Sequence, residues 1–128
     1  MTAAPTAPRT SAFLLVLSGL YGAAGVAAMA AATHMGGDNL RIAGTFLLFH
    51  TGPLLALGTL AQPTRLSLLA SLALALGVAL FSGDLIVRSL ASTPLFPMAA
   101  PIGGMILILG WLLIAAFGVA KLSTLRKP

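Results

Sequence analysis

The chain has 128 residues, 59% of them hydrophobic and only 7% charged, and a net charge of +5. Soluble domains carry about 25% charged residues, so a water-facing surface around an ordinary core is excluded. The seven basic residues lie at the ends of apolar runs and form no patch suited to nucleic acid, and the lack of cysteine excludes disulfides, thiolate metal sites and thiol catalysis.

In chain order, residues 1–11, rich in Pro, Ala and Thr, are expected to form a disordered tail. The first apolar run covers residues 12–32. It reaches the roughly 20 residues of a spanning helix and exceeds the apolar core of a signal peptide, about 7–15 residues, so a retained helix is expected. Ser18 and Gly22, and Gly19, Gly22 and Gly25, recur at helical spacing. Such stripes let membrane helices approach closely. The run ends at His34 in the polar, glycine-rich turn Thr33 to Asn39.

The second run, residues 42–61, has His50 near its middle, three residues before Pro53. A proline inside a helix removes a backbone donor, which frees the Phe49 carbonyl for His50 or Thr51. The turn Gln62-Pro63-Thr64-Arg65 leads to the third run, residues 66–91. It carries the small-residue stripes Ala75, Ala79, Gly83 and Ala73, Gly77, expected to pack inside the bundle. It also holds Asp84, one of two acidic residues in the chain, four positions before Arg88. Acid first at i, i+4 is the favourable order for a helical ion pair, and Arg88 is close enough to the helix end to snorkel to the interface.

After Ser92 to Pro97, with its two prolines, the fourth run covers residues 98–120 and opens on Pro101-Ile102-Gly103-Gly104. Trp111, in its middle, is expected as a bundle filler or a lipid-facing residue. Leu107 to Leu112 echoes Leu55 to Leu60, a hint of a repeated hairpin. Residues 123–128 form a basic tail.

Leu and Ala dominate these runs and no period-2 alternation appears, which favours helices. Backbone satisfaction in lipid leaves few other options. Short connections imply antiparallel neighbours. The expected fold is all-α: an integral membrane four-helix up-down bundle over residues 12–122. Arg9, Arg65, Lys121, Arg126 and Lys127 share one face with both termini, against Arg41 and Arg88 on the other. The positive-inside rule then places both termini in the cytoplasm.

An ionisable side chain inside a span is a functional-site hypothesis. His34, His50, Asp84 and Arg88 form the candidate intramembrane polar cluster, with His34 meeting Asp84 across the bundle. Ser82, Gly83, Pro101, Gly103 and Gly104 are expected to shape the helix packing or a cavity beside it. For Asp84 the alternatives are a structural ion pair and a proton or cation site. For His50 they are a hydrogen-bonded neutral ring and a ligand or proton relay. His34 and His50 differ in depth by about 15 Å at helical rise, a poor fit to two ligands of one metal or haem. No metal centre, cofactor or catalytic residue is expected.

Three blocks are similar to the YgdD-type family of small four-helix membrane proteins of unknown function. Phe49-His50-Thr51 resembles its second-span element; Leu80-Phe81-Ser82-Gly83 resembles its Leu-Phe-Ser-Gly motif; Pro101-Ile102-Gly103-Gly104 followed by Gly110-Trp111 resembles its fourth-span element. His34 fits the histidine closing the family's first-span segment, although that segment's glycines are replaced here by Ala30-Ala31-Ala32-Thr33. The position of Asp84 is polar but uncharged in the family pattern. The resemblance implies four helices in a bacterial inner membrane and brings no activity.

The expected function is that of a non-enzymatic accessory or scaffold component, packing with itself or a larger membrane complex in the lipid bilayer, without nucleic acid. The alternatives are a small proton- or ion-coupled transporter using Asp84 and His50, and a quinone- or haem-associated subunit using His50. The orientation is directly testable: a reporter fused to the C-terminus should be active only if it folds in the cytoplasm, and activity restricted to the far side would reverse the assignment.

Overall fold

A computed structural model describes residues 9–60 and 62–125. Four helices follow in order: α1 (Arg9–Met35), α2 (Asp38–Gly58), α3 (Arg65–Ala91) and α4 (Ala99–Leu125). Three of them have 27 residues, about 40 Å at 1.5 Å per residue, which exceeds a hydrocarbon core of about 30 Å. The helices are apolar nearly all round, and large side chains such as Phe13, Leu20, Leu72, Met105 and Ile108 face outward. That is the pattern of helices whose outer solvent is lipid.

The helix ends refine the sequence-based spans. α1 begins at Arg9, inside the expected tail, and Ser11 is already buried; residues 1–8 and 126–128 of the expected tails lie outside the described residues. The first turn is much shorter than Thr33 to Asn39. Gly36 and Gly37, at φ 72° and 113°, reverse the chain within two residues, a conformation that glycine adopts without steric cost. Asp38 therefore falls in the first turn of α2, where a negative charge is favoured by the helix dipole. α2 ends at Gly58, three residues before the expected limit. α3 starts with a capping box in which Thr64 accepts from the Ser67 backbone N–H at 3.1 Å and the Ser67 hydroxyl accepts from the Thr64 N–H at 2.8 Å. Its end is marked by Ser92 in the left-handed region, whose N–H bonds the Arg88 carbonyl.

Packing follows the chain. α1 lies against α2 and α3 against α4, and the two hairpins meet through α2 and α3, while α1 touches α3 only slightly. A glycine pair sits at the crossing inside each hairpin. A Cβ added to Gly44 would lie 2.9 Å from the Gly25 carbonyl oxygen; one added to Gly103 would lie 2.5 Å from the Phe81 backbone nitrogen and 2.9 Å from the Gly77 carbonyl oxygen. Gly22 and Gly25 of the first-span stripe thus face α2, whereas Gly19 faces open space. In α3 the Gly77 stripe packs on α4, but the other stripe does not form one buried face: Ala75 is buried and Ala79 exposed. The echo between residues 55–60 and 107–112 has a spatial counterpart, since Gly58 abuts Leu14 and Gly110 abuts Leu74. The core where the hairpins meet consists of Leu14, Leu47, Leu54, Leu74, Ala75, Val78 and Leu107.

Gly103→Ala should force α4 away from α3 and destabilise the fold by about 1–3 kcal/mol, the usual range for overpacking. Gly104→Ala should be close to neutral, because its added Cβ would meet only the Phe81 ring at 3.9 Å. Thermal unfolding in detergent compares the two.

Candidate functional site

Asp84 lies near the end of α3, about 10 Å from Ala91 at helical rise, and is fully buried. One carboxylate oxygen, Oδ2, accepts from Arg88 Nε at 2.7 Å; the other, Oδ1, accepts from the backbone N–H of Leu95 at 2.7 Å. The N–H of Ala100, in the first turn of α4, also faces the carboxylate. A single side chain thus joins its own helix, the α3–α4 connection and the start of α4, where the positive end of the helix dipole favours a negative charge. The Arg88 side chain is 38% exposed, so its Nε edge pairs with the buried carboxylate while the rest of the side chain stays partly open.

His50 is the second buried ionisable group. Its Nδ1 lies 2.6 Å from the Phe46 carbonyl oxygen, and its Nε2 accepts from Trp111 Nε1 at 3.2 Å. Trp111 has only an N–H to donate, so Nε2 is the acceptor and the hydrogen is on Nδ1, directed at Phe46. The ring is neutral in this arrangement and both nitrogens are occupied. Phe46 and Trp111 flank it, and Phe81 packs on Phe46 with ring centroids 4.5 Å apart.

The expected bond from His50 or Thr51 to the Phe49 carbonyl is therefore corrected. His50 bonds Phe46 and Thr51 bonds Leu48 at 2.7 Å. A helical side chain leans back over the turn that precedes it, which brings His50 above Phe46. Phe49 is on the outward face, 70% exposed.

Among the described residues, three hydroxyls donate to a backbone carbonyl of another helix, and Thr45 of α2 donates to the Met29 sulfur of α1 at 3.7 Å. Ser18 of α1 donates to Thr51 of α2 at 2.9 Å, Tyr21 of α1 to Ala75 of α3 at 2.7 Å, and Ser82 of α3 to Ala43 of α2 at 3.1 Å. Among the described residues no buried side-chain nitrogen or oxygen lacks a partner. Tyr21, absent from the sequence-based candidates, had a legible signal: it is the single tyrosine of the chain, set in an apolar run, and a buried phenol usually finds an acceptor.

The four candidates do not form one cluster. Asp84 and Arg88 are paired. His34 is exposed in the last turn of α1 and the contact expected between it and Asp84 is not made, because α1 barely touches α3. His50 lies deeper: its partner Trp111 is eleven residues along α4 from Ala100, about 16 Å at helical rise. The residues expected to shape a cavity instead fill space. Gly103 receives the α3 backbone, Gly83 lies near Leu95, Ser82 is hydrogen-bonded to α2, and Pro101 is exposed. Gly104 is half-buried. Among the described residues no group of three or more His, Cys, Asp or Glu side chains is placed to hold a metal.

All four helices are long and apolar enough to cross a bilayer, and with their polar groups turned inward they define a four-helix, multi-pass membrane protein. The model of the family described as "Protein of unknown function (DUF423)" matches residues 18–104, more than half of the chain, and the protein belongs to that family. The match runs from the Ser18 bond in α1 through Asp84 and Arg88 and ends before Trp111. No solved structure matches the chain.

Trp111→Phe removes the donor to His50 Nε2 and leaves a buried acceptor unpaired; the expected cost is about 0.6–2 kcal/mol, from the average for interhelical bonds in membranes up to the penalty for an unsatisfied group. Asp84→Ala should lower the melting temperature more than Arg88→Gln, because it releases the Leu95 N–H as well as the guanidinium. Proteolysis in the 92–98 connection should accelerate for Asp84→Ala, and unchanged cleavage would contradict the tethering role.

Proposed function

We propose that this protein is a non-enzymatic accessory or scaffold component of its membrane, one that packs with a second copy of itself or with a larger membrane complex. The observation that carries this reading is how the intramembrane polar groups are spent. Both oxygens of Asp84 and both nitrogens of His50 are tied to other parts of the same chain, so these residues fasten helices instead of presenting a free proton site or ligand. The depth separating them also speaks for fastening over a proton relay. Outside this fastened interior, α1 and α4 leave most of their apolar surface uncovered.

The orientation we propose has both termini in the cytoplasm, supported by Arg9, Arg65 and Lys121 on that end and by Arg126 and Lys127 following α4 in the sequence. A bacterial inner membrane and a place among the YgdD-type members of the family fit this orientation and the Leu-Phe-Ser-Gly and Pro-Ile-Gly-Gly blocks.

The test is cross-linking in native membranes, followed by purification in mild detergent and mass analysis. A homo-oligomer or a stable heteromeric complex is the expected result, and a lone monomer at native abundance would sink the reading. Proton flux into liposomes that is lost in Asp84→Asn would replace it with transport.

A further inference from the structure

A cleft opens at the other end of the molecule from Asp84. It has a volume of about 700 Å³, within the range of about 300–1,000 Å³ typical of small-molecule sites. Its walls come from two places: the α2–α3 turn and the last turns of α4. The cause lies in α4. Its last buried residue is Gly110, against which Leu74 packs; Ile114 still touches the core, but beyond Phe117 every described residue of the helix is exposed, down to Leu125.

The lining is divided by polarity. Leu60, Leu66, Phe117 and Ala120 supply apolar wall, while Thr64 and Lys121 supply polar groups. Phe117 lies one turn deeper along α4 than Lys121, about 6 Å at helical rise. The Lys121 ammonium is held over the Phe117 ring, 5.1 Å from its centroid, so the charge stands at the mouth of the apolar part.

Among the described residues no acidic side chain lies at this end. The two acidic side chains of the chain are Asp38 and Asp84, one at the start of α2 and the other near the end of α3, both at the opposite side of the membrane span. Arg65 is exposed between the lining residues Thr64 and Leu66, and the sequence continues past α4 with Arg126 and Lys127. An apolar slot that ends under the Lys121 ammonium matches a molecule with an acyl chain and an anionic head.

We propose that this cleft binds an anionic glycerophospholipid, with the phosphodiester at Lys121 and Thr64 and an acyl chain along Phe117, Ala120 and Leu66. The site depends on the protein's being in a membrane, not on its role as a scaffold.

Native mass spectrometry of the detergent-purified full chain tests it, by titrating phosphatidylglycerol and phosphatidylcholine with identical acyl chains. Phosphatidylglycerol should bind at least five-fold more tightly, the factor that corresponds to about 1 kcal/mol for one basic side chain near an anionic lipid surface. Lys121→Gln should abolish that preference, and Ala120→Trp, which fills the slot, should weaken binding of phosphatidylglycerol. Arg41→Gln, at an exposed basic residue of the opposite end, should leave both unchanged. Equal affinity for the two lipids, or a preference that survives Lys121→Gln, overturns the proposal. Displacement of the lipid by equimolar glycerol phosphate also overturns it, since the site would then take a soluble anion and the apolar slot would be idle.

Discussion

The contact of α4 with α3 at Gly103 sets the reach of nearly every other group in the structure. With no side chain there, the helix backbones meet at atomic contact, and α4 is held at one depth and one rotation. At that depth its first turn lies beside Asp84. At that rotation Trp111, eight residues further on, comes round toward α2 and finds His50. In lipid the hydrophobic effect does little to bring helices together, and association rests on packing and on hydrogen bonds. A glycine crossing supplies the first and positions the donors for the second.

The polar groups follow from the same constraint. A hydroxyl, carboxylate or imidazole inside hydrocarbon has no water to bond, and leaving it unpaired is costly. The chain meets this by aiming hydroxyls at carbonyls of neighbouring helices: Ser18 and Ser82 at α2, and Tyr21 at α3. It turns the one intramembrane carboxylate toward Arg88 and the Leu95 N–H. The result ties α1, α3 and α4 to the middle of the molecule although α1 and α4 do not pack on each other. It also divides the molecule into two ends of different character, one with Asp84 held among donors and Asp38 exposed in the first turn of α2, and the other basic, with the last turns of α4 beside an amphipathic cleft.

The spans were legible because length and hydropathy are local properties, and so was the Asp84–Arg88 pair, since both partners lie on one turn-to-turn face of one helix. Gly103 was legible as a thin place, though not what would occupy it. The expected His34–Asp84 contact failed because lateral order is not local: nothing in the two residues' own segments says that α1 would pack on α2 and scarcely on α3. Pro53 marks the Phe49 carbonyl as the acceptor without a backbone donor, yet His50 bonds Phe46. The direction in which a helical side chain leans decided the outcome.

The sequence by itself determined that this chain lives in a membrane as four antiparallel helices, through its apolar lengths, its turn residues and the scarcity of charge. It also determined that Asp84 would need a partner and that Arg88 was within reach. Only the tertiary structure decided that Leu95, eleven residues on in the α3–α4 connection, would supply the second donor, that Trp111 would be a hydrogen-bond donor to His50 and not a filler, and that the open space would lie at the basic end and not beside the acid. Those outcomes depend on the rotation and depth at which whole helices cross, which glycine-to-backbone contacts set, and no single segment carries that information.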